Sequence, residues 1–373
     1  MGPSPPPFSS SKYWDSRFHS NPSAFDWLQP ASILDPHITA ALRDTSEKTT
    51  PNILHIGCGT SLLSYHLRAH VDEPSQIHNV DFSKEAIDLG NLREAEIFQK
   101  PNGEGESNDQ GKKSAESVDS SRILSIPDEV QTCVSGRNAV NRRTDTNGQN
   151  DTKTHNGIKG HSGTKSHNNT IIALGDPGLT CHTPAHSTHM RWDTVDLLSL
   201  PSLLRICDPA SYTLIVEKSC SDAIACAEDI PVSSPYPLSI RHTSSPSLST
   251  SSPSPSARLP SLSPSSQSFY HIHPLTLLAV HLAALVVPHA RWVCLSYSSA
   301  RFPFLPPYTD VEPAVPPELL DQGFPDPATL WRLARHEEVE APLEDEAWKG
   351  VHRPRVVHWV YVLERTSVEV LMR

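Results

Sequence analysis

Two glycines and one acid stand where a nucleoside would be bound. Gly57 and Gly59 follow the segment 52–56, which we predict as a buried strand, and glycines there permit a sharp turn and the close approach of a ligand. Asp81 ends the next predicted strand, and an acid in that place hydrogen-bonds ribose hydroxyls. Leu62 stands where the dinucleotide fingerprint has its third glycine, so the pattern disfavours NAD.

Each of these features also has a simpler interpretation. A strand-to-helix turn uses glycine even without a ligand, and Asp81 also suits the start of a helix capped by Ser83. Because the glycine turn and the strand-end acid occur together, the combination favours a binding function.

Two further predicted strand ends carry charged residues. Ligands of open α/β sheets lie at the carboxyl ends of strands, so these residues are candidates for the same site. One set is Asp193 and Asp196, and the other is Glu217, Lys218 and Asp222.

The order of the predicted elements indicates the scaffold that positions these residues. Strands and helices alternate through the first half of the chain, which predicts an α/β fold with a mostly parallel, doubly wound sheet and helices on both faces. The predicted strands 331–339 and 356–363 have no helix between them, which indicates an antiparallel edge.

Composition predicts one domain with two interruptions. The chain has 373 residues, of which 35 are proline, and only 37% are hydrophobic. The segments 99–190 and 231–268 are too polar to offset the entropy of ordering, so we predict that both are disordered insertions. Residues 1–11 form a predicted disordered tail, and 12–373 form a single domain around the insertions.

Charge and cysteine usage disfavour several kinds of partner. A net charge of −11 disfavours nucleic acid, and seven cysteines without paired spacing fit a reducing, cytoplasmic compartment. The apolar run 275–287 is too short to span a bilayer, so no membrane partner is expected. No metal is predicted either, because no second cysteine pair with the usual zinc spacing accompanies the cluster of Cys181, His182, His186 and His189.

A set of short motifs resembles one enzyme family. The motifs are Tyr13-Trp14-Asp15-Ser16-Arg17-Phe18 with Phe25-Asp26-Trp27, Ile56-Gly57-Cys58-Gly59-Thr60-Ser61, Val80-Asp81, the segment from Arg191 to Leu197, and the segment from Glu217 to Ala223. Together they are similar to the lysine methyltransferases of translation elongation factor 1-alpha and their fungal relatives. Where that family has Gly, Thr and Leu after its lysine, this chain has Ser219, Cys220 and Ser221.

The resemblance implies a class I methyltransferase with a Rossmann-like sheet of seven strands and S-adenosyl-L-methionine as cofactor. It assigns cofactor contacts to Trp14, Phe18, Trp27, Gly57, Asp81, Phe82, Asp196, Leu197 and Lys218, and Gly59 joins them from the turn itself. Of the two acids in the third motif, it aligns Asp196 rather than Asp193 with the adenine side. The flat aromatic side chains can cover an adenosine or a sulfonium, although core packing would also explain them.

The acceptor that the resemblance implies is a lysine of a cytosolic protein, with elongation factor 1-alpha as the first candidate. A lysine amine must lose its proton before it attacks, and Glu217 or Asp222 could assist that step. Two alternatives stay open: a small-molecule methyltransferase, and a non-catalytic interaction protein that keeps the fold. The sequence does not indicate an oligomeric state.

Overall fold

The computed structural model describes residues 6–44, 50–98, 187–241, 269–307, 313–341 and 355–373. The strands in these ranges are β1 (Ile53–Ile56), β2 (Ile77–Asp81), β3 (Arg191–Thr194), β4 (Tyr212–Lys218), β5 (Ile230–Ser233), β6 (Leu238–Ile240), β7 (Phe269–Ile272), β8 (Val286–Ser296), β9 (Trp331–Glu340), β10 (Val357–Arg365) and β11 (Val370–Met372). The helices are α1 (Ser11–Ser20), α2 (Asp35–Asp44), α3 (Leu63–His66), α4 (Lys84–Phe98), α5 (Leu200–Ile206), α6 (Cys220–Ile224), α7 (Pro274–Leu285), α8 (Pro317–Asp321) and α9 (Pro327–Leu330). Short 3₁₀ turns lie at Ala31–Leu34, Leu67–His70 and Pro74–Gln76.

Seven strands form one sheet in the order β3-β2-β1-β4-β8-β10-β9. The neighbours from β3 to β8 pair in parallel, whereas β10 is antiparallel to both β8 and β9. The predicted α/β fold, with its mostly parallel sheet and antiparallel edge, is therefore confirmed. The strand order reverses between β1 and β4, and the crevice at such a reversal is where open α/β sheets bind ligands.

An apolar cluster packs on each face of this sheet. Successive residues of a strand point to opposite faces, so Trp292 of β8 joins one cluster and Val293 joins the other. On the first face Leu203 of α5 and Leu278 of α7 cover the sheet, and on the second face Ile38 of α2 does so. None of these five side chains has exposed surface, so the sheet is buried on both faces, as a doubly wound fold requires.

The described residues move the boundaries of both predicted insertions. Ile230–Ser233 pairs with β7 and Leu238–Ile240 pairs with β11, both antiparallel, so the second insertion does not begin at residue 231. The sequence pattern missed these strands because their order comes from main-chain bonds to distant segments rather than from their own Pro- and Ser-rich side chains. Met190, in the first predicted insertion, is buried and precedes β3. The remainder of both insertions, and the tail over 1–5, lies outside the described residues.

The long apolar run near residue 280 divides between two elements. Helix α7 ends at Leu285, and β8 begins at the next residue, so Pro288 lies inside the strand. The pairing of β8 with β4 shifts register between Val286 and Arg291, so the missing N–H of Pro288 interrupts no regular ladder. Within the described ranges, no helix combines the length and apolarity needed to cross a membrane.

Candidate functional site

A cavity of about 690 Å³ opens at the carboxyl ends of β1, β2, β3 and β4, beside the reversal of strand order. This volume lies within the range of ordinary small-molecule and cofactor pockets. Every residue predicted to contact a cofactor lines it: Trp14, Phe18, Trp27, Gly57, Gly59, Asp81, Phe82, Asp196, Leu197 and Lys218. The sheet therefore brings together residues that are far apart in the sequence.

The turn after β1 requires glycine at both positions. Gly57 has φ +58° and Gly59 has φ +50°, in the left-handed region that favours glycine. A Cβ on Gly57 would lie 2.5 Å from Sγ of Cys220, and one on Gly59 would lie 3.3 Å from the ring of Phe18. Burial raises the pKa of the Cys220 thiol well above its usual value, so this sulfur packs against the turn as a neutral group.

Asp81 is held at the end of β2 by backbone donors. The Gly59 N–H donates to Oδ2 at 2.9 Å, and the Ser83 N–H donates to Oδ1 at 2.8 Å. Burial raises the pKa of Asp81 to about 6, although these two bonds act in the opposite direction. Each carboxylate oxygen keeps a further lone pair, so Asp81 can still accept hydrogen bonds from two neighbouring hydroxyls.

An aromatic N-terminal segment, residues 6–29, forms one wall of the cavity. Trp14 stacks on Phe18 with ring centroids 5.6 Å apart. Phe8 lies inside the predicted tail, yet its ring is 5.9 Å from that of Trp14, and its carbonyl accepts the Trp14 indole N–H at 2.7 Å. The predicted tail over 1–11 is therefore too long, because Phe8 packs with this aromatic group and α1 begins at Ser11.

A buried ion pair joins the N-terminal segment to the end of β4. Lys218 Nζ lies 2.9 Å from Oδ1 of Asp26 and donates to the carbonyl of Gln29 at 2.5 Å. The hydroxyl of Ser61, beside the glycine turn, donates to the same Asp26 oxygen at 2.6 Å. The motifs assign Lys218 to the cofactor but do not reveal Asp26 as its partner, because the two residues are distant in the chain and only the fold brings them together.

Glu217, predicted as a catalytic group, does not line the cavity. It is fully buried, its Oε2 accepts the Ser221 N–H at 2.6 Å, and its Oε1 accepts the Trp292 indole N–H at 3.1 Å. Burial raises its pKa to about 7. Successive strand residues point to opposite faces, so when Lys218 points to the N-terminal segment, Glu217 points into the packing around Trp292.

Asp222, the other predicted catalytic acid, lines the cavity but is fully engaged. Its Oδ1 lies 2.7 Å from Arg301 in a salt bridge and accepts the Ser296 hydroxyl at 2.5 Å. Its Oδ2 accepts the backbone N–H of Tyr297 at 3.2 Å. These bonds point to a positioning role, which fixes the loop that holds the half-exposed ring of Tyr297 at the cavity. Tyr297 was not predicted as a site residue, because it belongs to none of the motifs.

Comparison with known proteins finds one matching stretch of sequence and several similar folds. No family model matches the chain. A stretch of 96 residues is 38% identical to methyltransferase srdJ of Neurospora crassa. This stretch covers 26% of this chain and 40% of that protein. The match thus spans well under half the length of the relative.

Solved methyltransferases match the chain at low similarity. A methyltransferase from Anabaena variabilis has a TM-score of 0.37 and 9% identity, with 97% of this chain and 96% of that chain covered. The N-methyltransferase NodS from Bradyrhizobium japonicum, in complex with S-adenosylhomocysteine, has a TM-score of 0.33 and 10% identity, with 97% and 99% covered. The order and directions of the seven strands decide the fold. The chain has a Rossmann-like sheet of seven strands that matches the methyltransferase fold.

The two acids near β3 have different surroundings, which yields a prediction. Asp196 lines the cavity, whereas Asp193 has its Oδ2 2.9 Å from Nε2 of the buried His78. Asp196→Asn should therefore weaken binding of S-adenosylhomocysteine several-fold, and Asp193→Asn should leave that affinity unchanged while lowering stability. Calorimetric titration of both variants measures the affinities. The reverse order would mean that Asp193 rather than Asp196 holds the ligand.

Ser219 occupies a backbone conformation that suits glycine, the residue found in the similar family. Its φ is +62°, and within the described residues its buried Oγ has no hydrogen-bond partner. A left-handed non-glycine residue and an unsatisfied buried hydroxyl each destabilise the folded state by about 1–2 kcal/mol. Replacing Ser219 by glycine removes both costs, but the greater freedom of glycine in the unfolded chain offsets part of the gain.

Ser219→Gly should consequently raise the free energy of unfolding by about 1 kcal/mol. Urea denaturation measures the change, and Ser219→Ala serves as the control because it removes the hydroxyl but keeps the strained backbone. We expect the glycine variant to be the more stable of the two. A glycine variant less stable than the natural protein would show that the hydroxyl has a stabilising partner.

Proposed function

We propose that this chain transfers the methyl group of S-adenosylmethionine to an acceptor. The observation that carries the proposal is the convergence on one cavity of the glycine turn, the strand-end acid Asp81, the second acid Asp196 and the aromatic N-terminal segment. The stretch similar to a protein named as a methyltransferase supports the same activity.

The cavity offers a separate partner for each part of this cofactor. We propose that Asp81 accepts both ribose hydroxyls and that Asp196, at the neighbouring strand end, lies on the adenine side. The stacked rings of Trp14 and Phe18 can cover the adenosine or face the positively charged sulfur. Gly57 and Gly59 let the backbone approach the ligand without a side chain between them.

The acceptor would enter from the ends of β4 and β8, because the nucleoside would fill the ends of β2 and β3. Bound cofactor supplies a methyl group on a sulfonium, which a nucleophile takes by in-line displacement to leave S-adenosylhomocysteine. The protein contributes alignment and exclusion of water. At this end the wall contains Ser219, Ile224, Ile230 and Tyr297.

We propose a lysine of a cytosolic protein as the acceptor, on the motifs that resemble the elongation factor 1-alpha methyltransferases. Glu217 and Asp222 are engaged in other bonds, so neither is a free base for the amine. The apolar wall provides a different means, since burial lowers the pKa of a lysine and favours its neutral, nucleophilic form.

A small-molecule acceptor is the second candidate, favoured by the same wall. The acceptor end is lined by Ala223, Ile224, Ala227 and Ile230, and the only carboxylate there, within the described residues, is the ion-paired Asp222. An uncharged planar molecule would pack between these aliphatic side chains and Tyr297 without any acid to pair with.

Binding followed by transfer tests the proposal. The purified chain should bind S-adenosylhomocysteine in calorimetry, and with methyl-labelled cofactor it should label a lysate from cells that lack the protein. Label on a protein lysine, mapped by mass spectrometry first on elongation factor 1-alpha, supports the lysine acceptor. Label only in small molecules supports the second candidate, and binding without transfer supports a non-catalytic role. Folded protein that binds neither cofactor nor product would overturn the proposed activity.

A further inference from the structure

Three side chains of the types that bind metal ions converge outside the cavity, on the second face of the sheet. Asp35 begins α2, His66 ends α3, and His70 ends the 3₁₀ turn that follows. Nε2 of His66 lies 2.5 Å from Oδ1 of Asp35, and Nε2 of His70 lies 2.9 Å from the same oxygen. All three donor atoms lie within 4.8 Å of one another.

We propose that Asp35, His66 and His70 bind one zinc ion. Imidazole nitrogen and carboxylate oxygen are ordinary zinc ligands with bond lengths of about 2.0–2.2 Å, which set the ligand atoms about 3.3 Å apart in a tetrahedron. Each imidazole nitrogen would need to move less than about 1 Å away from the Asp35 oxygen to reach that spacing. Two histidines four residues apart are also the spacing at which helical zinc motifs present both imidazoles to one ion.

Burial at the cluster fits three protein ligands and one open position. The side chain of His66 is 5% exposed and that of His70 is 12% exposed, whereas Asp35 is 37% exposed. Solvent therefore reaches the ion from the carboxylate side and can supply the fourth ligand as water.

The ion would join two parts of the chain that frame the cavity. Asp35 directly follows the 3₁₀ turn Ala31–Leu34, which continues the aromatic N-terminal segment, and α3 directly follows the glycine turn. Zinc would thus hold the N-terminal segment against the floor of the site, in addition to the pair of Lys218 with Asp26. The inference does not depend on the proposed methyl transfer.

A hydrogen-bonded cluster without an ion is the competing explanation. In that arrangement both Nε2 atoms carry a proton and donate to Oδ1 of Asp35, which has lone pairs for two donors. The two explanations differ in their response to added zinc. The ion adds binding energy to the folded state alone, whereas the hydrogen-bonded cluster gains nothing from it.

Zinc titration of the full chain, first stripped with a chelator, tests the proposal. At a free zinc concentration about 100-fold above the dissociation constant, the melting temperature should rise by about 5 °C, and chelator should reverse the rise. Asp35→Asn and His70→Ala, at the two more exposed positions, should remove that response and one equivalent of bound zinc in equilibrium dialysis. His19→Ala is the matched control, because His19 is exposed and lies outside the cluster.

Cobalt(II) provides a readout that does not depend on the variants. The natural chain should develop visible d–d bands with cobalt(II), without a thiolate charge-transfer band, and zinc should displace them. The proposal would be overturned if the natural chain binds no zinc. It would also be overturned if Asp35→Asn and His70→Ala respond to zinc as the natural chain does. A thiolate band would also overturn it, since it would place the ion on cysteines elsewhere in the chain.

Discussion

Asp81→Ala should weaken the binding of S-adenosylhomocysteine by about 10- to 100-fold. The variant removes the carboxylate that would accept both ribose hydroxyls, and charge-assisted hydrogen bonds of this kind contribute about 1.5–3 kcal/mol. Isothermal titration calorimetry measures the affinity. Asp88→Ala is the matched control, because Asp88 lies on the next helix and makes an exposed pair with Lys84.

Asp81 also accepts the N–H groups of Gly59 and Ser83, so the alanine variant needs a check on folding. Asp81→Asn keeps one acceptor oxygen and should lie between the natural protein and the alanine variant in affinity. A folded alanine variant that binds as tightly as the natural protein would remove Asp81 from the site and, with it, the main support for a nucleoside ligand.

The raised pKa of Asp81 gives the binding a pH dependence. The carboxylate form accepts both hydroxyls, and its pKa is about 6, so affinity should fall as pH drops below about 6.

The stability of the ligand-free chain should change in the opposite direction. Asp81 and Glu217 both have folded pKa values above their ordinary ones, so the folded state holds protons that the unfolded state has lost. Their contribution to the free energy of unfolding is therefore largest near pH 4 and decreases as the pH rises to about 7. Thermal melts across this range, with and without ligand, measure both trends.

Lys218→Met should lower the free energy of unfolding by about 3 kcal/mol. The side chain of Lys218 is 2% exposed, and removing one member of a buried pair leaves the other charge without compensation. Because Asp26 is 23% exposed, water screens part of this loss, so the value lies at the lower end of the usual range. Urea denaturation measures it, and a weaker affinity for S-adenosylhomocysteine should accompany it as the N-terminal segment loosens.

Lys84→Met is the control for Lys218→Met, since Lys84 makes an exposed pair with Asp88 on α4 and should change stability little. The double variant Lys218→Met with Asp26→Asn should be more stable than the sum of the single changes predicts, because it leaves no unpaired charge. Strictly additive losses would show that the lysine and the acid do not interact.

Two strand pairs, one at the edge of the seven-stranded sheet and one in a separate two-stranded sheet, show where sequence patterns succeed and where they fail. The segments 331–339 and 356–363 were predicted as an antiparallel pair because no helix lies between them, and β9 and β10 pair in that way. By contrast, β6 is a three-residue strand whose partner β11 is distant from it in the sequence. Its order comes from main-chain bonds to that partner, which its own residues do not reveal.

The sequence alone determined the glycine turn, the strand-end acid and the α/β class. These depend on local chemistry: the small set of residues that tolerate a left-handed turn, and the alternation of apolar strands with helices. Only the tertiary structure decided which charged residues face the cavity. Asp196 lies at its wall and Asp193 at His78, and Glu217 points into the core although Lys218 is its neighbour. The physical reason is that the direction of a side chain, and the partner that neutralises its charge, depend on which distant segments the sheet brings beside it.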